Sequence, residues 1–547
     1  MMRSSSLHLA RQCILPLALT SLYFSCDSIK EKVGVEYNTT PITVSNFHMR
    51  GINAPVIIDP FHKAIVVRYQ KIVVLTDKEL QNSNGQTLPV SVDGKKVDAK
   101  IIRVSEYPNP TEEYGGITYT VLLEFEEKIV KKDLFSRISL AGAQAQASNF
   151  VIMSGEMDDG GPNNPPPHPP WTSNFGEIIK VYDSDFRTAR LDDVNQYSRQ
   201  DKLIVAMIDT GVKFNFIDSP GHPPFQYTDN NGKWRTLKLS VGNSSSKSGN
   251  SNLGYCGITE YLRASADSDP EDDQLYRNKS ELSALRKYKR QDILNSAFDD
   301  HLVLTSKNVI MGRHGSFITS IINQDTDDVA VLPVKALNYA GNGTLYDMLC
   351  CLNYVLAQKR SGLPIQILNA SWVGSLSGEG LDLLKSKFAQ LEQAGILVVA
   401  AAGNDHQNLS QNKLYPACFS KEFNNVITVT SLRKSSSIVD QLRNVSGGYE
   451  ASLNYSNEFV SIGVYGGRGP DDSMQGPFLN KAGSTINGTS FAAAHVSGLA
   501  ARYLSEHPVT LSGANIAETK ERIVNELTKV DQGLASEVAG GRFLQVN

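Results

Sequence analysis

Four largely apolar runs, two of them uninterrupted, constrain the fold of this 547-residue chain more than any other feature. Segments of helical character, such as Leu345–Gln358 and Leu381–Ala394, lie between some of them. Strands that are apolar on both faces are typical of parallel sheets covered by helices on both sides. The pattern therefore predicts a doubly wound α/β domain with a mostly parallel sheet. The four runs are Leu203–Ile208, Ile365–Leu368, Ile396–Ala402 and Val426–Val429.

A different pattern precedes this domain, over residues 26–157. Apolar and polar residues alternate with a period of two from Ile117 to Phe125, which is typical of a half-buried strand. Asn84-Gly85 and Asp93-Gly94 are hairpin turn signals. No amphipathic helix is evident in this region, so we predict a small all-β domain, most simply a sandwich.

A linker separates the two predicted domains at residues 158–174. Six of the nine residues from Pro162 to Pro170 are proline, which excludes a helix interior or a central strand. The α/β domain is then predicted over residues 175–547. Residues 218–308 break its alternation of strands and helices, and we interpret them as a surface insertion.

Residues 1–25 are typical of an export signal. Arg3 and Arg11 make this segment positive, and its apolar run, Cys13–Phe24, is shorter than the roughly 20 residues of a membrane span. The end of the run resembles a bacterial lipoprotein signal, in which Cys26 becomes the lipidated N-terminus. An ordinary cleaved signal is the alternative. We therefore expect an exported protein, either anchored in the cell envelope through a lipid or secreted.

Composition excludes several other classes of protein. The 53 basic and 57 acidic residues give a net charge of -4, which does not favour a nucleic-acid partner. The six cysteines show no zinc-ligand spacing. Cys350 and Cys351 are interpreted as buried free thiols, whereas a pairing of Cys256 with Cys418 is left open.

Four polar motifs at ends of predicted elements carry the chemistry. In chain order they contain Asp209 (Asp-Thr-Gly), His314 (Arg-His-Gly-Ser), Asn404 (Ala-Gly-Asn) and Ser490 (Gly-Thr-Ser). A serine hydroxyl needs an adjacent base to become a nucleophile, and the base needs an acid that orients it. An asparagine amide can stabilise the oxyanion of acyl transfer. Each motif alone has an ordinary structural explanation, but together they supply a complete acyl-transfer site.

The segment after Ser490 predicts a closely packed helix. Its side chains are unusually small, and Ser490 would lie at the helix N-terminus, where free N–H groups favour an anion. A core helix without chemistry would explain the small residues but not the Gly-Thr-Ser motif. The small residues are Ala492, Ala493, Ala494, Ser497, Gly498, Ala500 and Ala501.

Taken together, the motifs resemble those of the subtilisin-like serine peptidases, over roughly residues 175–547 without the insertion. The resemblance implies that Asp209 orients the base, His314 is the general base and acid, and Ser490 is the nucleophile. It implies that Asn404 donates to the oxyanion. Val331–Leu337, Tyr415-Pro416-Ala417 and the last seven residues also match family segments, with a cis proline expected at Pro416.

The same resemblance assigns substrate binding to two segments. These are Ser371-Trp372-Val373-Gly374 and Tyr415-Pro416. The family has smaller residues at the positions of Trp372 and Val373, so the cleavage preference is left open.

No cofactor is implied for the chemistry. Asp218 falls where many members carry a calcium ligand, and both a structural calcium site and an ordinary loop aspartate remain as interpretations. The usual α+β inhibitory prosegment is not recognisable. The β domain could replace it, or act in targeting or binding.

The leading hypothesis is an exported serine endopeptidase that cleaves protein or peptide substrates through an acyl-enzyme on Ser490, most simply as a monomer. The alternative is a surface binding protein on a subtilase scaffold with weak or lost catalysis. A lipase or esterase of the α/β-hydrolase type is disfavoured, because those enzymes have the order Ser, Asp, His and a Gly-x-Ser-x-Gly motif.

Overall fold

The computed structural model describes residues 203–212 and most of 314–434, 449–466 and 488–546. It also describes strands and short segments between residues 56 and 154 and between 226 and 311. The predicted export signal, Cys26, the linker and Asp218 lie outside the described residues.

Ten strands are described before residue 155. They are β1 (Val56–Ile58), β2 (Ala64–Val66), β3 (Lys71–Thr76), β4 (Thr87–Val92), β5 (Lys95–Val104), β6 (Asn109–Thr111), β7 (Gly116–Glu124), β8 (Ile138–Ser139), β9 (Ala143–Ser148) and β10 (Val151–Ser154).

Sixteen further strands are described after residue 202. They are β11 (Leu203–Asp209), β12 (Gln226–Thr228), β13 (Trp234–Thr236), β14 (Tyr255–Cys256), β15 (Val303–Leu304), β16 (Ile310–Met311), β17 (Val329–Lys335), β18 (Asn342–Thr344), β19 (Ile365–Ala370), β20 (Trp372–Val373), β21 (Leu397–Ala401), β22 (Val426–Lys434), β23 (Tyr449–Ala451), β24 (Ile462–Gly466), β25 (Lys529–Val530) and β26 (Arg542–Val546).

The described helices all follow residue 313. They are α1 (His314–Asn323), α2 (Leu345–Arg360), α3 (Gly378–Gln393), α4 (Thr489–Glu506) and α5 (Ile516–Leu527), with short 3-10 turns at Ala417–Lys421, Gln532–Leu534 and Ala539–Gly541. The start of α2 is fixed by a capping box, in which Thr344 and Asp347 bond each other's backbone N–H groups.

The central sheet confirms the α/β prediction. Its strand order is β14-β17-β11-β19-β21-β22-β24-β26-β25, with β23 paired to β22. Neighbouring strands are parallel from β14 to β26, and only β25 and β23 pair antiparallel. The strands β11, β19, β21 and β22 contain the four apolar runs of the sequence, and the carboxyl ends of these parallel strands lie along one edge.

Alternate residues of the strands feed two hydrophobic clusters on opposite faces of the sheet. In β11, Val205 and Met207 belong to the cluster that contains α1 and α4. Ala206 and Ile208 belong to the cluster that contains α2 and α3. We call these the α1–α4 face and the α2–α3 face. Apolar burial on both faces is what an interior parallel strand requires.

Helix α4 is closely packed, as its small residues predicted. A side chain at Gly498 could not be added without displacing α1, because its Cβ would lie 2.8 Å from the Ile322 carbonyl oxygen. Seven small residues of α4 are buried: Ala492, Ala493, Ala494, Ser497, Gly498, Ala500 and Ala501.

The N-terminal strands form a seven-stranded antiparallel sheet, here called the N-terminal sheet, with the order β8-β4-β5-β7-β3-β9 and β6 paired to β7. The predicted sandwich is not confirmed, because the described strands of this region give one large sheet and the β1–β2 hairpin. One face of the sheet, including Val73 and Leu122, shares a hydrophobic cluster with the α2–α3 face. Val74 and Val121 on the other face belong to a separate cluster.

The predicted insertion at residues 218–308 is described only in part. Two of its segments join the central sheet instead of lying on the surface. β14 pairs with β17 as the edge strand, and Leu239 forms an isolated bridge with Val331. Leu239 is fully buried, so this part of the insertion contributes to the core.

Candidate active site

Asp209 and His314 meet at the carboxyl edge of the central sheet. Asp209 ends β11 and His314 begins α1. His314 Nδ1 lies 2.8 Å from Asp209 Oδ1, and both residues are buried. The Thr210 N–H donates to the same carboxylate oxygen at 2.7 Å. With Nδ1 as the donor to a carboxylate, Nε2 is the basic nitrogen of a neutral imidazole.

A buried lysine lies beside this pair. Lys335 ends β17, directly opposite Asp209 in the parallel register. Its Nζ donates to the Thr210 carbonyl oxygen, and the residue is only 2% exposed. The amino group of Lys335 therefore lies at the same strand end as Asp209.

The glycine after His314 allows the helix to approach the end of β11. A Cβ at Gly315 would lie 2.2 Å from the Gly211 carbonyl oxygen, and Gly211 itself has a φ of +105°. The Gly315 N–H donates to Thr210 Oγ1 at 2.9 Å. The backbones of the His-Gly and Asp-Thr-Gly motifs thus contact each other closely. This contact fixes the imidazole against the carboxylate.

Ser490 is the second residue of α4 and lies next to the imidazole-bearing helix. It is 1% exposed. The ring of the following residue, Phe491, lies 5.6 Å from the His314 ring, centroid to centroid. The structure therefore brings Asp209, His314 and the start of α4 together.

The Ser490 hydroxyl is held by Ser371. Ser490 Oγ donates to the Ser371 carbonyl at 3.3 Å. In return, Ser371 Oγ donates to the Ser490 carbonyl at 2.9 Å. Ser371 Oγ also lies 3.0 Å from Asn369 Oδ1, and Asn369 Nδ2 donates to Ser497 Oγ at 3.0 Å. Hydrogen bonds thus connect the end of β19 to two turns of α4.

Asn404 is oriented by Thr489. Its Oδ1 accepts from the Thr489 N–H at 3.0 Å and from Thr489 Oγ1 at 2.9 Å. Thr489 Oγ1 in turn accepts from the Gly403 N–H at 2.9 Å. Because the amide oxygen accepts from two donors on Thr489, the Nδ2 group points away from Thr489. Nδ2 lies on the side of Gly488, 3.7 Å from the position that a Cβ on Gly488 would take.

The two predicted substrate-binding segments are adjacent. Gly374 and Tyr415 exchange backbone hydrogen bonds of 2.7 and 2.9 Å. The Tyr415–Pro416 peptide bond is cis, as the resemblance implied. Trp372 is fully buried and Val373 is 7% exposed, and both belong to the hydrophobic cluster of the α2–α3 face.

A strand from the N-terminal region occupies the same place. β10 lies antiparallel between β18 and β20. In its register, Met153 is opposite Val373 and Ser154 is opposite Trp372. The chain therefore lays its own extended segment along the residues that the resemblance assigns to substrate.

Three remaining features concern metal ligands, membrane-spanning helices and cysteine thiols. Within the described residues, no group of three or more His, Cys, Asp or Glu side chains could hold a metal ion. Across those same residues, no helix is both long enough and apolar enough to span a membrane. Cys350, Cys351 and Cys418 are buried free thiols, so the pairing of Cys256 with Cys418 that the sequence left open is not formed.

This fold and this arrangement of an aspartate, a histidine and a serine define the class of the protein. The Subtilase family matches residues 200–541, and the chain belongs to that family of serine peptidases.

Among curated relatives, the chain is 28% identical over 258 residues to "Subtilisin-like protease 3" of Plasmodium falciparum, covering 43% of this chain and 30% of that protein. It is 29% identical over 212 residues to "Subtilisin DY" of Bacillus licheniformis, covering 38% of this chain and 66% of that protein. The matched region thus spans less than two thirds of either relative. A solved structure of a cold adapted subtilisin-like serine proteinase aligns with a TM-score of 0.36 and 18% identity, covering 63% of this chain and 88% of that one.

Several positioning residues were missed from the sequence. Thr210, Thr489 and Lys335 hold the ends of the site through backbone and amide contacts. Thr210 and Thr489 stand directly after and directly before a candidate catalytic residue, which is the only sequence signal that could have indicated them. The contact of Lys335 joins residues 125 positions apart, and no local pattern indicates it.

Proposed function

We propose that the protein is an exported serine endopeptidase that hydrolyses peptide bonds of protein substrates. The buried Asp209–His314 hydrogen bond beside the N-terminus of α4 is the observation that carries the proposal. An oriented imidazole next to a serine at a helix N-terminus is the arrangement that nucleophilic acyl transfer requires.

In the proposed mechanism, Ser490 Oγ attacks the carbonyl carbon of the scissile bond while His314 Nε2 takes the hydroxyl proton. Asp209 keeps Nδ1 protonated and stabilises the imidazolium. The imidazolium then gives its proton to the leaving amine, which departs and leaves an ester on Ser490. A water molecule, deprotonated by the same imidazole, hydrolyses the ester and restores the serine.

Asn404 is the proposed side-chain donor to the oxyanion. Its amide oxygen is held by Thr489, so the amide nitrogen is pre-oriented before substrate arrives. A donor fixed in advance stabilises developing charge without reorganisation during the reaction. The backbone N–H of Ser490, at the positive end of α4, is the second proposed donor.

The serine must change its hydrogen bond before it reacts. A hydroxyl has one proton, and in this structure it is directed to the Ser371 carbonyl. We propose that substrate binding along β20 competes for that carbonyl and returns the hydroxyl to His314. The arrangement in this structure, with the hydroxyl directed to Ser371, is then a latent state that precedes cleavage.

The register of β10 supports a specific site of self-processing. Ser154 is opposite Trp372, which directly follows Ser371, and the Ser371 carbonyl accepts from Ser490 Oγ. We propose that the Gly155–Glu156 bond is presented to the nucleophile. The N-terminal sheet would then act in place of an inhibitory prosegment.

The test is a fluorophosphonate reaction followed by intact mass and N-terminal sequencing, on the wild type and on Ser490→Ala. We expect one adduct on the wild type, none on the variant, and a new N-terminus at Glu156 in the wild type alone. Labelling of both proteins would refute Ser490 as the nucleophile.

Absence of an adduct on the wild type has two explanations that a second reaction distinguishes. Repeating it on a chain that begins near Trp171 removes β10. An adduct there would identify latency, and continued absence would favour a binding protein on a subtilase scaffold.

Export and anchoring are separate proposals. We propose that residues 1–25 direct export and that Cys26 carries a lipid, which places the enzyme at a membrane surface. Metabolic labelling with a palmitate analogue tests this, with Cys26→Ser as the control. Loss of label in that variant is expected, and label that persists would contradict lipidation at Cys26.

A further inference from the structure

Three tyrosines far apart in the sequence form one buried aromatic cluster. Tyr255 stacks on Tyr354 with a centroid distance of 4.8 Å and an interplanar angle of 13°. Tyr107 meets both rings edge-on, at 5.5 Å from Tyr255 and 5.2 Å from Tyr354. None of the three is more than 9% exposed. Stacked and edge-to-face geometries are the favourable ones for aromatic pairs.

Each ring belongs to a different part of the molecule. Tyr107 lies between β5 and β6 of the N-terminal sheet, Tyr255 begins β14 in the insertion, and Tyr354 lies on α2. The strand β14 is fixed to the α/β body, because Tyr255 pairs with Val334 and Cys256 with Lys335 in a parallel register. The insertion therefore adds an aromatic ring, at the edge of the body, against which the N-terminal sheet packs.

Helix α2 shows how completely this surface is covered. All residues from Leu345 to Leu356 are buried, and a helix buried on every side must be covered by more than one layer. The central sheet is one layer and the N-terminal sheet is the other. A buried hydrogen bond from Asn353 Nδ2 to Thr120 Oγ1, 3.3 Å long, crosses between them.

We infer that Tyr255 of the insertion clamps the N-terminal sheet onto the α/β body through Tyr107. The two parts then remain one particle after the chain between them is cut. The bound partner is the segment of this chain from β3 to β10, and the recognition chemistry is apolar and aromatic. This inference concerns retention of the sheet and does not depend on catalysis by Ser490.

The test uses the full chain with Ser490→Ala, so that any cut is introduced from outside. A recognition sequence for a site-specific protease is inserted after Asn164, and the C-terminus is immobilised. After cleavage, release of the N-terminal fragment is followed by gel over time. We expect the parent to retain the fragment, and Tyr255→Ala to release it at least about tenfold faster.

Matched variants separate the ring contact from general damage. Tyr255→Phe keeps the ring and should retain the fragment like the parent. Tyr503→Ala removes a tyrosine of α4 that stacks on His507 at 4.4 Å, and it should not change release. A parent that loses its fragment as soon as the chain is cut would overturn the inference, as would Tyr255→Ala with parental retention.

A double-mutant cycle keeps the test decisive if Tyr255→Ala disturbs the insertion itself. Tyr107→Ala acts from the N-terminal sheet and leaves the sequence of the body unchanged. If the rings act as a contact, the double variant should release the fragment more slowly than the product of the two single effects predicts. Independent effects that multiply would show that the two rings are not coupled, and would overturn the clamp.

Discussion

The two faces of the central sheet use opposite packing strategies. On the α1–α4 face, glycines and small side chains bring backbones together, as where Gly498 meets Ile322. Candidate catalytic atoms there are held by hydrogen bonds near 3 Å. The α2–α3 face packs large side chains such as Tyr354 and Phe388, under a second sheet. The Tyr354 hydroxyl and Lys387 Nζ there have no hydrogen-bond partner among the described residues.

The difference in packing indicates that one face mainly positions the candidate catalytic residues and the other mainly stabilises the fold. Close backbone contacts define positions to a fraction of an ångström, so changes on the α1–α4 face should affect turnover first. Large apolar side chains contribute burial energy with less demand on position, so changes on the α2–α3 face should affect stability first. The predictions below test this division.

The largest expected effect is a loss of stability on the α2–α3 face. Leu352 is fully buried on α2, and Leu352→Ala should lower the free energy of unfolding by about 2–5 kcal/mol, because it leaves a cavity. Turnover well below the melting temperature should stay within about twofold. Urea unfolding and peptidase assays on the same samples measure both. A collapse of turnover without a loss of stability would break the comparison.

The next effect is on turnover at the α1–α4 face. Asn404→Ala should raise the reaction barrier by about 2.7–4 kcal/mol, which is the magnitude established for the loss of one oxyanion donor in subtilisin itself. The value of kcat should fall while KM changes little. Unchanged kcat would remove Asn404 from the proposed mechanism.

Gly315→Ala tests backbone contact on the same face. Its Cβ would lie 2.2 Å from the Gly211 carbonyl, so α1 must shift and carry His314 with it. A displacement of about 1 Å in a catalytic group can cost roughly 100-fold in rate. Steady-state turnover measures the effect. Gly513→Ala is the control, because its Cβ would meet the Gln393 Cα at 3.3 Å, a tight contact that involves the end of α3 and no candidate catalytic residue, so turnover should be unchanged.

The smallest effect is a gain in stability from Lys387. Burial, reinforced by the Arg360 charge, lowers the pKa of Lys387 from 10.5 to about 7, while Cys350 opposes the shift. Lys387→Met should therefore raise the free energy of unfolding at neutral pH by about 1–3 kcal/mol, since it removes a buried polar group without a partner.

The pH dependence of this difference has a defined sign. Between pH 7 and 10.5 the unfolded chain holds the Lys387 proton and the folded protein does not, so the lysine favours folding more as pH rises. The advantage of Lys387→Met should accordingly shrink between pH 7 and 9. Chemical unfolding of both proteins at each pH measures it. A constant difference would mean that Lys387 is not buried in the neutral form.

Short sequence patterns predicted those parts of the fold that depend on neighbouring residues in the chain. The apolar runs predicted the parallel strands, because a strand that is buried on both faces needs apolar residues at consecutive positions. The small residues after Ser490 predicted the packing of α4 in the same way. The N-terminal sheet was predicted as strands but not as a cover for α2. The alternation from Ile117 to Phe125 indicated one buried face, whereas Val73 and Leu122 bury the other face as well.

Contacts between distant segments could not be predicted in this way. The Tyr107–Tyr255 contact and the pairing of β10 with β20 join residues 148 and about 220 positions apart, with no repeated spacing to indicate them. The Ser371–Ser490 hydrogen bonds are of the same kind. Ser371 was predicted to touch substrate, whereas its contacts with the nucleophile follow only from the fold.

The position of β10 has a consequence for competition. Only residues 149 and 150 separate β10 from β9, which is part of the N-terminal sheet. A segment on such a short tether has an effective concentration in the millimolar range at the site it occupies. An incoming peptide must exceed that local concentration or bind more tightly. Cutting the chain after β10 would not dilute the segment for as long as the N-terminal sheet stays bound.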